Sequence, residues 1–288
     1  MLNFLRNPWG RPRVLVLVTA LYIAWSILPV AVAILFAFNS GRSRTTWQGF
    51  SFRWFTGDPY GSVLHDPDLQ SALKHTVLLA IISVLVATPL GVTLALGLQR
   101  WRGPGSGTVN IVMLLPLVTP EIVMGVSLLL LFLNVFAVIG LGTTAQAIGQ
   151  ITFTISYVVV IVRGRLVSIG KEYEEAASDL GAPPRDILFR VLLPLLAPAI
   201  LASAAIVFAL SIDDFVITQY LSGDASTTTV SMLLYSSARG APTPALNALA
   251  TVALVITLGT LALTFLVYRR FTGGSGDSGA SAMAAMEV

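Results

Sequence analysis

Charged residues and cysteines are what this sequence has least of. Only 11% of its 288 residues are charged and 55% are hydrophobic, whereas soluble domains carry about a quarter charged residues. A soluble fold of this length cannot hide so much apolar surface from water, which leaves the lipid bilayer as the solvent. Because cysteine is absent, disulfides, thiolate metal sites and cysteine nucleophiles are excluded. The net charge of +3 is too small to indicate a nucleic-acid partner.

Long stretches without ionised residues predict an all-α fold with about six transmembrane helices. A span needs roughly 20 mostly apolar residues. The interval between Arg102 and Arg163 is interrupted only by Glu121, so it holds two spans, divided at the turn-rich segment 140–144. One transmembrane domain, 14–270, is predicted between an N-terminal segment, 1–13, and a disordered tail, 271–288. The predicted spans lie near residues 14–38, 75–98, 110–133, 146–162, 191–212 and 246–268.

Lys and Arg are distributed unevenly over the predicted loops. With the N-terminus in the cytoplasm, the inside segments hold twelve of the 17 basic residues and the outside segments hold five. This bias predicts that both termini are cytoplasmic. The outer loop 39–71 holds six aromatic residues, typical either of an interfacial belt or of a docking surface for an external partner: Trp47, Phe50, Phe52, Trp54, Phe55 and Tyr60.

The sequence of the inside loop 163–190 predicts a short helix followed by a rigid turn. Residues 171–180 are largely helix formers, Gly181 ends the helix, and Pro183-Pro184 prevents its continuation. Such a small-residue helix can dock in a partner's groove and pass movement into the spans. A helix lying on the membrane surface is the alternative, but the cations are few and the apolar face is small. That face carries Tyr173, Ala176, Ala177 and Leu180 at helical spacing, beside an acidic face of Glu172, Glu175 and Asp179.

The loop also carries a spaced motif. Glu175-Ala176-Ala177, Gly181 and Leu193-Pro194, with Val191 two residues before Leu193, resemble EAA-x3-G-x9-I-x-L-P, the signature of permeases from binding-protein-dependent ABC importers. Valine replaces isoleucine, a mild departure. The resemblance implies that the loop is a coupling helix seated in a cleft of a cytoplasmic ATPase subunit. The residues that it assigns to coupling are Tyr173, Glu175, Ala176, Ala177, Asp179, Leu180, Gly181 and Pro194.

Further expectations follow from the same resemblance. The partners would be two ATPase subunits that bind ATP and Mg, a second related permease chain and an extracytoplasmic solute-binding protein. The location would be the bacterial inner membrane, and no cofactor, metal or enzyme activity is expected on this chain. Segments 120–130 and 211–218 resemble the spermidine/putrescine permease branch, which implies a polyamine as solute. Another amine, an opine or an anion such as thiosulfate are the alternatives within this class.

Three acidic residues fall within predicted spans. Glu121 lies about ten residues into its span, about 15 Å along the axis, where a charge must face the protein interior. It is either a transient site for a cationic substrate or a structural acid at the Pro116/Pro120 kink. Asp213 and Asp214 predict that the fifth helix breaks or emerges into water. They either position a polyamine near the outer gate or form a solvated helix end.

Two other classes of protein fit the sequence less well. A secondary carrier would use the intramembrane acids as proton sites, but it leaves the loop 163–190 unexplained. An intramembrane enzyme would need a Ser/His/Asp set, a metal-ligand cluster or a catalytic carboxylate pair, and the sequence places none of these at membrane depth. His65 and His75 have no spaced second ligand, so no metal site is predicted. Lys171 follows a glycine but lacks the rest of a Walker loop, so the chain does not bind ATP by that route.

Overall fold

The computed structural model describes residues 13–43, 45–101, 103–240 and 243–272. Most of the predicted N-terminal segment 1–13 and of the predicted disordered tail 271–288 lies outside these ranges. Within them the regular structure is helical, apart from one bridge between Asn39 and Phe50. The helices are α1 Arg13–Ala37, α2 Pro67–Arg100, α3 Ser106–Val118, α4 Glu121–Asn134, α5 Thr143–Ile169, α6 Glu172–Asp179, α7 Pro184–Asp186, α8 Leu193–Asp213, α9 Val216–Tyr220, α10 Val230–Gly240 and α11 Pro244–Thr272.

The all-α fold class and a span count of about six are confirmed. Five described segments are long and apolar enough to cross a membrane: α1, α2, α5, α11 and the continuous helical stretch Pro184–Asp213. A sixth span arises if α3 and α4, which meet at an angle of 110°, are counted together. The chain divides into two compact units. The first comprises the described residues within Met1–Pro67 and Ser237–Val252, and the second comprises those within Asp68–Ser236 and Ala253–Val288.

In the first unit the aromatic segment after α1 is fixed by its own contacts. The indole Nε1 of Trp54 donates to the Asn39 carbonyl at 2.7 Å, and Trp54 is buried. Arg53 donates twice to the Asp58 carboxylate, at 2.7 and 2.9 Å. The Tyr60 N–H and the Arg53 side chain hold the pKa of Asp58 below its usual value. The ring of Phe38 contacts three other phenylalanine rings within 5.4 Å, so this segment is ordered: Phe50, Phe52 and Phe55.

The second unit is built around the parallel pair α2 and α5. His75 bonds to Gln146, Ser83 bonds to Gln150, and Gly91 faces Val158, so contacting positions advance together along both helices. Helix α8 runs antiparallel to α5, since Gln150 contacts Ser211 whereas Arg165 contacts Leu195. The core between them consists of small and branched apolar side chains, among them Ala87, Val92, Val158, Val162, Leu192, Leu196 and Val207.

Gly91 sets the spacing of α2 and α5. A Cβ at this position would lie 2.5 Å from the Cβ of Val158, a stiff β-branched residue, and 3.2 Å from the Ile155 carbonyl. We expect Gly91→Ala to destabilise the protein by about 1–3 kcal/mol because α2 must move outward. A thermal unfolding curve in detergent measures this loss. The matched control is Gly97→Ala on the same helix, where no heavy atom lies within 4 Å.

That control should unfold at the wild-type temperature or slightly above it, because alanine is the better helix former by about 1 kcal/mol. Equal unfolding temperatures for the two alanine variants would contradict the assigned packing of α2 on α5.

A proline breaks the predicted third span. Thr119 is extended, with ψ of 129°, because the helical region is disfavoured for a residue before proline. Pro120 also leaves the helical region, with ψ of 132°. The predicted continuous span near 110–133 is therefore a bent pair, α3 and α4. Glu121 is the first residue of α4 and is exposed, rather than lying ten residues into a helix.

A second proline shapes the start of α8. Residues Ile187–Leu192 form a π-helix, the π segment, in which the Leu193 N–H bonds to the carbonyl of Leu188, five residues earlier. Pro194 has no N–H to offer the carbonyl of Arg190, so one α-helical hydrogen bond is missing at this point. Short π segments within helices are frequent at functional sites. This one lies between α6 and the membrane-spanning α8.

Candidate functional site

Helix α6 lies within the predicted loop and ends at a glycine. Gly181 has a φ of +80°, its N–H bonds to the Ser178 carbonyl at 2.9 Å, and the Ala182 N–H bonds to the Ala177 carbonyl at 3.0 Å. These two bonds make a Schellman motif, in which glycine is the preferred residue. The chain then turns through extended Pro183 into α7. The helix is therefore short and sharply terminated at its C-terminal end.

The apolar row of α6 points away from the other helices of the second unit. Tyr173 is 55% exposed and Leu180 is 89% exposed, and Ala176 between them is exposed as well. Ala177 is half-buried. We call Tyr173, Ala176 and Leu180 the outward row. The acids Glu175 and Asp179 are also exposed and flank this row, so α6 presents a small apolar strip bordered by negative charge.

One acid of α6 turns inward. Glu174 is half-buried and forms an ion pair with Arg100 at the end of α2. Helical spacing predicted a polar face of Glu172, Glu175 and Asp179 and gave no role to Glu174. Its partner is 74 residues away, a distance over which periodicity carries no information.

The fifth apolar stretch breaks at the paired aspartates. Helix α8 ends at Asp213, Asp214 is extended with ψ of 116°, and α9 begins at Val216. The Asp214 carboxylate accepts from the Ile217 N–H at 3.1 Å, as an N-cap side chain does. It also accepts from the amide of Gln150 at 3.1 Å. Asp213 is exposed and Asp214 is half-buried, so only Asp214 is built into the break.

Gln150 satisfies the polar groups that the break releases. Its amide nitrogen donates to the Ser211 carbonyl at 3.2 Å, one of the carbonyls left without a partner where α8 ends. Its amide oxygen accepts from the hydroxyls of Ser83 and Ser211. All three side chains are at most 2% exposed. In lipid no water can replace such bonds, so broken helices need partners from within the protein.

Gln146, one turn earlier on α5, bonds to backbone carbonyls in the segment that follows the break. Its amide nitrogen donates to the carbonyls of Thr218 and Thr227, both at 2.9 Å. Its amide oxygen accepts from the His75 ring at 2.8 Å. Neither glutamine was predicted from the sequence as a site residue. Two amides at i and i+4 inside an apolar span were the available signal, because buried polar groups require partners.

Glu121 lies close to the same break. A Cβ at Gly125 would lie 2.8 Å from the Tyr220 ring and 3.5 Å from Val216, so this part of α4 packs on α9. Glu121 is one turn before Gly125 and therefore on the same face of α4. Its carboxylate is within electrostatic range of Asp214. The structure thus brings Glu121 and Asp214, with the neighbouring Asp213, to one end of the second unit.

The acidic break and α6 lie at opposite ends of α5. Gln150 marks the level of the break, and Arg165, which contacts α8 near Leu195, marks the other end. The fifteen helical steps from Gln150 to Arg165 correspond to about 22 Å of helix. Among the described residues no group of three potential metal ligands occurs. This arrangement places negative charge toward one end of the second unit and a partner-facing helix at the other.

Comparison with known proteins gives consistent matches. Residues 87–272 match the family model described as "Binding-protein-dependent transport system inner membrane component". The chain is similar to the putrescine transport system permease protein PotI of Escherichia coli strain K12, with 35% identity over 258 residues and 88% of each chain covered. It is equally similar to the spermidine/putrescine transport system permease protein PotC of that strain, with 35% identity over 256 residues, 89% of this chain and 94% of PotC.

Solved structures show the same fold. A chain from a bacterial ABC transporter involved in the import of the acidic polysaccharide alginate superposes with a TM-score of 0.74 at 18% identity, covering 94% of this chain and 98% of that one. A chain from the methionine ABC transporter in an inward-facing conformation gives a TM-score of 0.56 at 18% identity, covering 70% and 94%.

Proposed function

Because the chain belongs to the family of inner-membrane components of binding-protein-dependent transport systems, we propose that it is one permease subunit of an ATP-driven polyamine importer. The observation that carries this proposal is the outward row of α6, which leaves a motif-bearing helix free to contact another protein. The relatives named for putrescine and spermidine transport supply the solute class. Both termini lie in the cytoplasm in this proposal.

In the proposed assembly α6 is the coupling helix. Tyr173, Ala176 and Leu180 enter a cleft of an ATPase subunit, and Glu175 and Asp179 meet basic groups at its rim. Two such ATPase subunits bind ATP and Mg, one beneath this chain and one beneath a second, related permease. When ATP closes the ATPase pair, α6 moves and carries α5 and α8 with it, because α6 is joined to α5 through Gly170 and to α8 through α7 and the π segment. ATP hydrolysis belongs to the partner chains.

Solute enters from an extracytoplasmic binding protein and passes between the two permeases. Glu121, Asp213 and Asp214 supply carboxylates at the outer end of the pathway. A polyamine carries several ammonium groups, and its attraction to these carboxylates is stronger at a partly desolvated site than in bulk water. Gln150 and the Ile217 N–H orient Asp214, which keeps its charge facing a fixed direction rather than following a flexible loop.

Neutralising the exposed acids should weaken uptake. We expect Glu121→Gln and Asp213→Asn each to lower polyamine uptake at low solute concentration about tenfold, the effect of losing roughly 1.4 kcal/mol of charge-assisted binding. Initial rates of labelled putrescine uptake by whole cells measure this. Asp186→Asn is the control, because Asp186 lies at the opposite end of the unit in an exposed pair with Arg190. Unchanged rates at every solute and salt concentration would contradict the assigned role.

The proposal itself is tested by purification from host membranes through a tag on this chain. We expect an ATPase, a second permease and ATP-dependent putrescine uptake into liposomes when the solute-binding protein is supplied. A secondary carrier would instead transport as the isolated chain along a proton gradient. Transport by the chain alone, without ATP, would overturn the proposed function.

A further inference from the structure

The ion pair between Arg100 and Glu174 joins α6 to a helix that is distant from it in sequence. Helix α6 is linked covalently to α5 through Gly170 and to α8 through α7 and the π segment. Helix α2 has no such link. It nevertheless runs parallel to α5, so its last residue, Arg100, comes to the same end of the unit as α6. Of the ion pairs among described residues, this is the one that connects α6 to another helix.

A cavity separates α6 from the helix ends around it. Its volume is about 550 Å³, and Arg100 and Glu174 are both part of its lining. Side chains of α2, α5 and the π segment complete the wall, among them Leu96, Gln99, Leu166, Val167 and Ile187. Close packing therefore does not fix α6 to α2, and the charged side chains that reach across provide the connection.

We propose that Arg100 and Glu174 are positioning residues for energy coupling: their ion pair makes α2 move with the coupling helix. The inference rests on the proposed function. Helix α2 carries His75 and Ser83, which bond to the two glutamines at the break between α8 and α9. Movement of α6 is thereby delivered to the acidic end of the pathway through α2 as well as through α5 and α8.

The exposure of the pair separates this role from a structural one. The side chains of Arg100 and Glu174 are 54% and 26% exposed, and ion pairs that remain in contact with water add little to stability. Removing one partner should therefore leave folding and assembly intact. Without the ion pair, movement of α6 is no longer passed along α2 from Arg100 to His75 and Ser83. The lost quantity is a coupling between distant sites.

The first test compares uptake with ATP hydrolysis in the assembled transporter in liposomes. We expect Arg100→Gln and Glu174→Gln each to lower the putrescine taken up per ATP hydrolysed about fivefold, a modest value for coupling between sites. The double exchange Arg100→Glu with Glu174→Arg should restore the ratio. Lys74→Gln, which removes an exposed cation from the opposite end of α2, is the control and should leave the ratio unchanged.

The outcomes distinguish this inference from the proposed function. If no ATPase co-purifies with the wild-type chain, the proposed function fails. If the ATPase co-purifies with every variant and the single variants keep the wild-type ratio, the inference is wrong while the function stands. A lowered ratio that the double exchange does not restore also overturns the inference, because charge pairing is then not the cause.

A second test uses the absence of cysteine from the chain. Arg100→Cys with Glu174→Cys introduces only two thiols, which a short, cleavable bifunctional thiol reagent can join in the assembled transporter. We expect the uncrosslinked double variant to show the lowered ratio and the crosslinked protein to regain it, because α2 and α6 are again attached. Loss of uptake on crosslinking that is reversed by cleaving the linker would show that the two helices must separate, and would overturn the inference.

Discussion

Replacing Ala176 by arginine should abolish ATP-driven uptake and remove the ATPase from the purified particle. Ala176 lies in the middle of the outward row, between Tyr173 and Leu180, and its small side chain permits close approach of another protein. An arginine at the centre of a contact places a charged group there without a partner, which costs about 2 kcal/mol or more of binding free energy, a factor of about thirty in affinity. The measurement is the amount of ATPase recovered per tagged permease, together with putrescine uptake.

Ala176→Ser is the control for this substitution, because it keeps a small side chain at the same place. It should retain most of the bound ATPase and most of the uptake. Because Ala176 is exposed in the free chain, the arginine variant should still fold and reach the membrane. Recovery of the ATPase with the arginine variant at the wild-type level would show that the outward row is not the docking surface.

Gln150→Leu should severely reduce the amount of folded protein. The substitution removes the amide that bonds to the Ser211 carbonyl, the Ser83 hydroxyl and the Asp214 carboxylate. The Ser211 carbonyl then has no partner, and Asp214 keeps only the Ile217 N–H. A buried polar group without a partner costs about 1–3 kcal/mol, a large share of the 5–15 kcal/mol by which typical proteins are stable. The yield of monodisperse protein in detergent and its unfolding temperature measure the effect.

The matched control lies on the same helix. Thr152 is exposed, and its hydroxyl donates to the Ile148 carbonyl of its own helix. Thr152→Val should therefore unfold close to the wild-type temperature. If Gln150→Leu unfolded at the same temperature as Thr152→Val, the break between α8 and α9 would not depend on the glutamine.

Hydropathy and local motifs predict those helices and helix ends that depend only on residues close together in the sequence. The apolar windows give α1, α2, α5, α8 and α11, because a bilayer requires long uncharged helices whatever their tertiary contacts. The helix at 172–179 and its end at Gly181 follow from helix propensity and from glycine's access to positive φ. The paired aspartates mark the end of α8 for a similar reason, since adjacent charges interrupt an apolar run.

Contacts between distant segments are not visible in the sequence. Gln150 meets Ser211 across 61 residues and Gln146 meets Thr227 across 81, so the residues that hold the break together have no local signature beyond being amides in an apolar span. The position of Glu121 depends on the 110° angle between α3 and α4. Pro120 signals a kink there, but a proline alone sets neither its size nor the side on which Glu121 emerges.

The central claim is that the exposed face of α6 lies against an ATPase, and crosslinking tests it most directly. Leu180→Cys places the only thiol of the chain on that face. In native membranes a thiol-to-amine crosslinker should join this chain to the ATPase, and ATPase binding should protect the thiol from a soluble maleimide. A thiol that reacts freely in the assembled particle and never crosslinks to the ATPase would contradict the claim.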